Sequence, residues 1–169
     1  MNTNIYHMEQ GFTDRKALEE LKIGKLKKQI QRVYDNSPFH KERFDLVGFR
    51  PEMLKRAEDL KDVPFFDKTQ ERASQAESQE KGYTALGMHI VCDPRDVQRI
   101  SSTSGTTGNP TFTGYTQKDS EVTAEIMRRA MPIMNAKPGD IVMHAFVLSM
   151  WIAGVPVADI MEMAGLCVV

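Results

Sequence analysis

The sequence predicts an α/β protein, with a helical N-terminal region over residues 1–82 followed by the first part of an α/β subdomain over 83–169. Apolar residues recur at helical spacing early in the chain, whereas β-branched runs alternate with helical stretches after Tyr83. A short run of hydroxyls and glycines, SSTSGTTGNPT at 101–111, separates two strand-like segments.

Leu18, Leu21, Leu26, Ile30, Val33 and Tyr34 give a helix over 14–34 an apolar face, with Asp14 as its cap and Asn36-Ser37-Pro38 as its stop. Lys22, Lys25, Lys27 and Lys28 lie on this amphipathic helix and read as a solvated face. Short helices are expected at 39–46 and 51–56, the second opening on proline. Residues 67–79, rich in Gln, Glu and Ser, form a weakly amphipathic helix. Strands then follow at 97–101 and 111–116, a helix at 118–134, a strand at 140–148, a helix at 155–163 and a strand from Leu166. Asn135 to Asp140, NAKPGD, is a compact turn punctuated by Pro and Gly. This alternation argues for a layer with partly parallel pairing. The terminal GLCVV reads as the start of a buried strand, so the subdomain reads as truncated.

With 169 residues, 41% apolar and 27% charged, the chain has the composition of a soluble globular protein. A net charge of −1 gives no reason to expect nucleic acid or an anionic membrane as partner. Cys92 and Cys167 stand far apart without metal-ligand spacing, so neither a disulfide framework nor a zinc site is indicated. The N-terminus lacks the pattern of a secretory signal. The apolar stretch 141–157 is interrupted by His144, Gly154 and Pro156 and does not read as a membrane span. These features together lead to the expectation of a cytoplasmic protein.

The loop at 101–111 has the makings of an oxyanion cradle. Phosphates are bound by crowded backbone N–H groups with small hydroxyls beside them. Gly105 and Gly108 remove side-chain obstruction, and Ser102, Thr103, Ser104, Thr106 and Thr107 supply hydroxyls. It is not a P-loop, because Asn109-Pro110 stands where Gly-Lys is required, and GxGxxG is absent. The competing reading is a flexible Ser/Thr/Gly linker, but a linker has no need of a strand on each side.

These residues carry a resemblance. TSGTTGNPT, from Thr103 to Thr111, resembles the phosphate-binding signature of adenylate-forming enzymes, the acyl-CoA synthetase superfamily. Its continuation FTGYTQKD, with YDNSPFH at 34–40 and DLKDVPFFDK at 59–68, is similar to the version found in phenylacetate-CoA ligases. The motifs stand in the family's order and span nearly the whole chain. The resemblance implies an enzyme of the AMP-forming acid-CoA ligase family using ATP, coenzyme A and Mg²⁺. A carboxylate attacks the α-phosphorus of ATP to give an acyl-adenylate, and coenzyme A then displaces AMP. It assigns Ser102, Thr103, Ser104, Gly105, Thr106, Thr107, Gly108 and Asn109 to the phosphates of ATP.

The chain departs from the family in places. Asn109 stands where phenylacetate-CoA ligases usually have lysine, removing a charge-assisted phosphate contact. The family's adenine and ribose motifs, its magnesium-binding glutamate and its mobile domain with the catalytic lysine would follow Val169. No catalytic residue or metal ligand is therefore assigned within these residues, and the chain alone is expected to be inactive. Phe146 and Trp151 fall where the family places acyl-pocket aromatics, while Val147, Leu148 and Ser149 replace the usual glycine, tyrosine and glycine. Periodicity alone makes Phe146 and Trp151 core residues; the resemblance makes them pocket walls for a small aryl acid, and both readings stand. His144 reads as a structural histidine, and Met127, Met131, Met134, Met161 and Met163 as core filler. Two alternatives remain: a non-catalytic assembly partner for a second chain, and a ligase for an aliphatic or hydroxy acid. A homodimer is also compatible with the sequence.

Overall fold

The computed structural model describes residues 14–103 and 110–169, and the chain divides into two units, Met1–Cys92 and Asp93–Val169. In the first unit the Asp14 side chain accepts from Lys16 N and opens α1 (Arg15–Asn36). Lys22, Lys25, Lys27 and Lys28 of α1 are exposed, as the solvated-face reading expects. Ser37 ends that helix by donating its N–H to Val33 O, and its hydroxyl accepts from His40 N at 3.4 Å to open α2 (Pro38–Leu46). Pro38 at the first position suits this start, because the N–H it lacks has no intrahelical partner there. The core contains buried Phe44, Phe49 and Leu54, with Leu26, Ile30, Val33, Tyr34 and Val63 packed against them. The expected helix at 51–56 is only a 3₁₀ turn, Pro51–Met53, and a second 3₁₀ segment, Ala57–Asp62, was not foreseen.

Asp67 caps α3 (Lys68–Glu80), accepting from Thr69 N and Gln70 N while its own N–H donates to Gln70 Oε1. The weak amphipathicity of this helix has a structural reason. Its buried face is Ser74, Gln75 and Ser78, and the following segment needs polar partners there. Ser78 Oγ accepts from Thr84 N at 3.2 Å, Ser74 O accepts from Met88 N at 3.3 Å, and Ser74 Oγ lies 2.9 Å from His89 Nδ1. Gly87 (φ 94°) allows that segment to fold back, and a Cβ on it would sit 2.7 Å from the His89 ring.

The second unit begins with the antiparallel pair β1 (Val97–Ser102) and β2 (Phe112–Thr116), in register Ser102↔Phe112 and Ser101↔Thr113. Thr116 and Asp119 then form a capping box that starts α4 (Gln117–Ala130). The helix stops short of the expected 134 because Pro132 has no N–H to donate and its ring would clash with the preceding turn. β3 (Ile141–Val142), α5 (Val155–Met163) and β4 (Cys167–Val168) complete a β-α-β unit whose strands pair in parallel, Ile141↔Cys167 and Val142↔Val168. The partly parallel pairing expected from the alternation is present. Of the expected strand at 140–148, Ile141–Val142 is strand, and His144 N also donates to Val169 O. Met131, Ala164 and Leu166 form the buried core here, with Met127, Ala136, Val142 and Met161 against it. Met134 and Met163 are exposed and are not core filler.

Candidate functional site

The hydroxyl-rich loop is closed at its base by two threonines. Thr103 N donates to Thr111 O at 3.0 Å, Thr111 N donates to Thr103 Oγ1 at 3.1 Å, and the two hydroxyls lie 3.3 Å apart. Thr111 and Ser101 are fully buried beside this bracket. Thr103 thus holds the stem, whereas Ser102 is half-buried and its hydroxyl has no protein partner among the described residues. Ser104, Gly105, Thr106, Thr107, Gly108 and Asn109 lie outside the described residues.

The root of the loop meets the turn that carries the expected pocket aromatics. Ser102 N donates to Met150 O at 2.7 Å, and Ser102 forms a parallel bridge with Trp151. Phe146 and Trp151 stand edge-on with ring centroids 5.5 Å apart at 72°. Phe146 is 53% exposed and Trp151 38%, so neither is a core residue of this unit. The His144 ring stands 5.6 Å from that of Phe146, and its Nε2 lies 3.0 Å from Ala153 O. Trp151 N donates to Ser149 Oγ at 3.2 Å, and Gly154 N to Trp151 O at 2.9 Å. Gly154 is required by close approach: a Cβ there would lie 2.5 Å from Val147 O.

On α5, Asp159 pairs with Arg99 of β1 across a cavity of ≈ 340 Å³ also lined by Gln98, Tyr115 and Met163. Burial, with Asp119 second, pushes the Tyr115 phenol above its ordinary value. Among the described residues no group of three or more His, Cys, Asp or Glu side chains is placed to hold a metal. No helix among them is long and apolar enough to cross a membrane.

The structure therefore brings Ser102 together with Trp151 and, through Trp151, Phe146, while Thr103 pairs with Thr111. Sequence reasoning missed the Thr111 bracket, the Met150 contact and the His144–Ala153 tie. Each has a backbone carbonyl on one side, of Thr111, Met150 or Ala153, and a carbonyl is common to all residues.

No family profile matches the chain. It is 31% identical over 166 residues to phenylacetate-coenzyme A ligase of Thermus thermophilus, covering 98% of this chain and 35% of that protein. To the Aromatoleum evansii protein of the same name it is 33% identical over 138 residues, covering 81% of this chain and 29% of the other. Among solved structures it is similar to 2-hydroxyisobutyryl-CoA ligase in complex with 2-HIB-AMP and CoA. That match has a TM-score of 0.82 at 27% identity and covers 93% of this chain and 32% of the other. An open conformation of the same ligase gives a TM-score of 0.78 at 26% identity over 89% of this chain and 33% of the other. The chain spans about a third of the length of the relatives it matches.

Proposed function

We propose that this chain, a relative of the phenylacetate-CoA ligases and of the adenylate-forming CoA ligase fold, supplies the phosphate-binding loop and an aromatic wall of the acyl pocket of an AMP-forming aryl acid–CoA ligase. One observation carries the reading. Ser102, at the root of the loop, is bonded through its N–H to Met150 O, beside the aromatic pair. Phosphates held by the loop and a ring held against Phe146 and Trp151 would then sit on adjoining stretches of backbone.

In the first step a carboxylate oxygen attacks the α-phosphorus of ATP, and the bond to the bridging oxygen of pyrophosphate breaks. The loop and the hydroxyl of Ser102 stabilise the charge that collects on the departing pyrophosphate, and the Thr103–Thr111 bracket closes the base of that loop. The thiolate of coenzyme A then attacks the acyl carbon, and AMP leaves. No step is assigned to Mg²⁺, since no group of three or more His, Cys, Asp or Glu side chains among the described residues is placed to hold a metal.

A small aliphatic hydroxy acid is the second reading, favoured by the likeness to 2-hydroxyisobutyryl-CoA ligase. The loop is tested by acid-dependent ATP–pyrophosphate exchange in a chimera where this chain replaces the matching segment of the Thermus relative. Gly105→Val and Gly108→Val are each expected to cost about 2–4 kcal/mol of transition-state stabilisation, as for a lost oxyanion donor. Unchanged exchange in both variants would make the loop a linker.

A further inference from the structure

His144 holds two parts of the second unit at once. Its backbone N–H donates to Val169 O at 2.8 Å, extending the β3–β4 pairing, while its ring reaches Ala153 O at 3.0 Å. A carbonyl oxygen only accepts, so Nε2 carries the proton in this contact. The ring therefore closes the segment between His144 and Ala153 from one side to the other. The same ring packs 5.6 Å from Phe146, which in turn meets Trp151 edge-on. Within the segment the backbone supplies little else: Ser149 N donates to Val147 O at 3.0 Å, and Gly154 N donates to Trp151 O at its far end.

We infer that His144 is a positioning residue: by latching the ends of the 144–153 turn it sets the Phe146–Trp151 geometry and presents Met150 O to Ser102 at the root of the loop. As an account of acid recognition this rests on the acyl-pocket reading above, whereas the latch itself does not. The side chain acts through the aromatic pair and needs no contact with substrate. A phenyl ring in its place would keep the contact to Phe146 and lose the donor, whereas a glutamine amide would keep a donor able to reach Ala153 O.

Trp151 is the single tryptophan of the 169-residue chain, so its fluorescence reports this turn directly. The experiment compares acrylamide quenching and near-ultraviolet circular dichroism of Trp151 in the whole chain and in His144→Ala, His144→Phe and His144→Gln, with far-ultraviolet spectra to check the fold. The alanine and phenylalanine variants are expected to show severalfold easier quenching and loss of the fixed tryptophan signal, and glutamine to restore both. Unchanged signals in alanine and phenylalanine, or glutamine as disrupted as alanine, would overturn the inference. Where those variants fail to fold, nitrogen-15 NMR of the wild-type ring decides: an Nε2–H protected from water exchange supports the latch, and an unprotonated or freely exchanging Nε2 overturns it. Phenylacetate titrated against Trp151 emission separates the two readings. Absence of binding by wild type strikes the pocket reading and leaves the latch to the quenching result. Equal affinity in wild type and His144→Phe overturns the positioning role and leaves the pocket standing.

Discussion

At the scale of single residues, the proposed aryl pocket makes the choice of acid turn on Trp151 and its surroundings. Its ring stands edge-on to Phe146 with centroids 5.5 Å apart, and its backbone is held by Ser149 Oγ, Gly154 N and the Ser102 bridge. Val147 and Ser149 fill positions where phenylacetate-CoA ligases commonly carry glycine, which favours a compact acid. An aryl substrate would add ring contacts worth about 0.5–1.5 kcal/mol each beyond area burial. In the chimera, Trp151→Ala is therefore expected to lower kcat/KM for phenylacetate and benzoate by about 2- to 10-fold more than for 2-hydroxyisobutyrate. Equal loss for all three acids would make Trp151 a scaffold residue, and a native preference for the hydroxy acid would favour the second reading.

At the scale of elements, the motifs at 34–40 and 59–68 meet in one cluster within the first unit. Phe39 and His40 of α2 pack on Phe66, at 5.7 and 5.2 Å, and Phe66 packs on His89 at 5.0 Å. Burial, then the neighbouring His89 and Arg43, pushes His40 down to about 4. Burial also lowers His89; Glu71 of α3 opposes that shift and Lys68 adds to it. Both histidines are thus held neutral when folded, and the unfolded chain takes up protons first. Their contribution to stability is present above about pH 6.5 and is lost as pH falls from there through the folded value near 4. His40→Phe keeps the aromatic contacts and removes one titration. Between pH 7 and 4.5 the wild type is expected to lose more melting temperature than the variant, by roughly 2–4 °C for a chain of this size. The window separates this from Asp59, whose carboxyl is held below its usual range by the N–H groups of Lys55 and Arg56 and titrates lower still. Parallel curves for the two proteins would show that folding does not lower the pKa of His40.

At the scale of the whole molecule, much apolar surface is uncovered among the described residues. Ile133 is 88% exposed, Ile141 72% and Phe65 88%, and Val147 and Leu148 are exposed beside the aromatic pair. The β3–β4 sheet has two strands, leaving outer edges without a strand neighbour among the described residues. Surfaces of this kind associate. Light scattering of the chain is expected to show a mass that rises with concentration to at least that of a dimer. A single monomer mass across a wide range, with cooperative unfolding, would show that these surfaces are tolerated singly.

Much of the fold was legible in the sequence because its signals are local. Asp14, Ser37-Pro38 and Asp67 mark helix starts through their own side-chain and backbone chemistry, and the 3.6-residue spacing of Leu26, Ile30 and Val33 names one face of the core. The loop and the aromatic pair were singled out differently, as residue types standing in the order of a family resemblance. What the sequence left undecided depends on partners far along the chain. The parallel partner of β3 is β4, the polar inner face of α3 is set by the loop that returns to it, and the exposure of Phe146 and Trp151 by a turn whose ties are backbone carbonyls. A carbonyl has no residue-type signature, so only the tertiary structure decides which one His144 or Ser102 will meet.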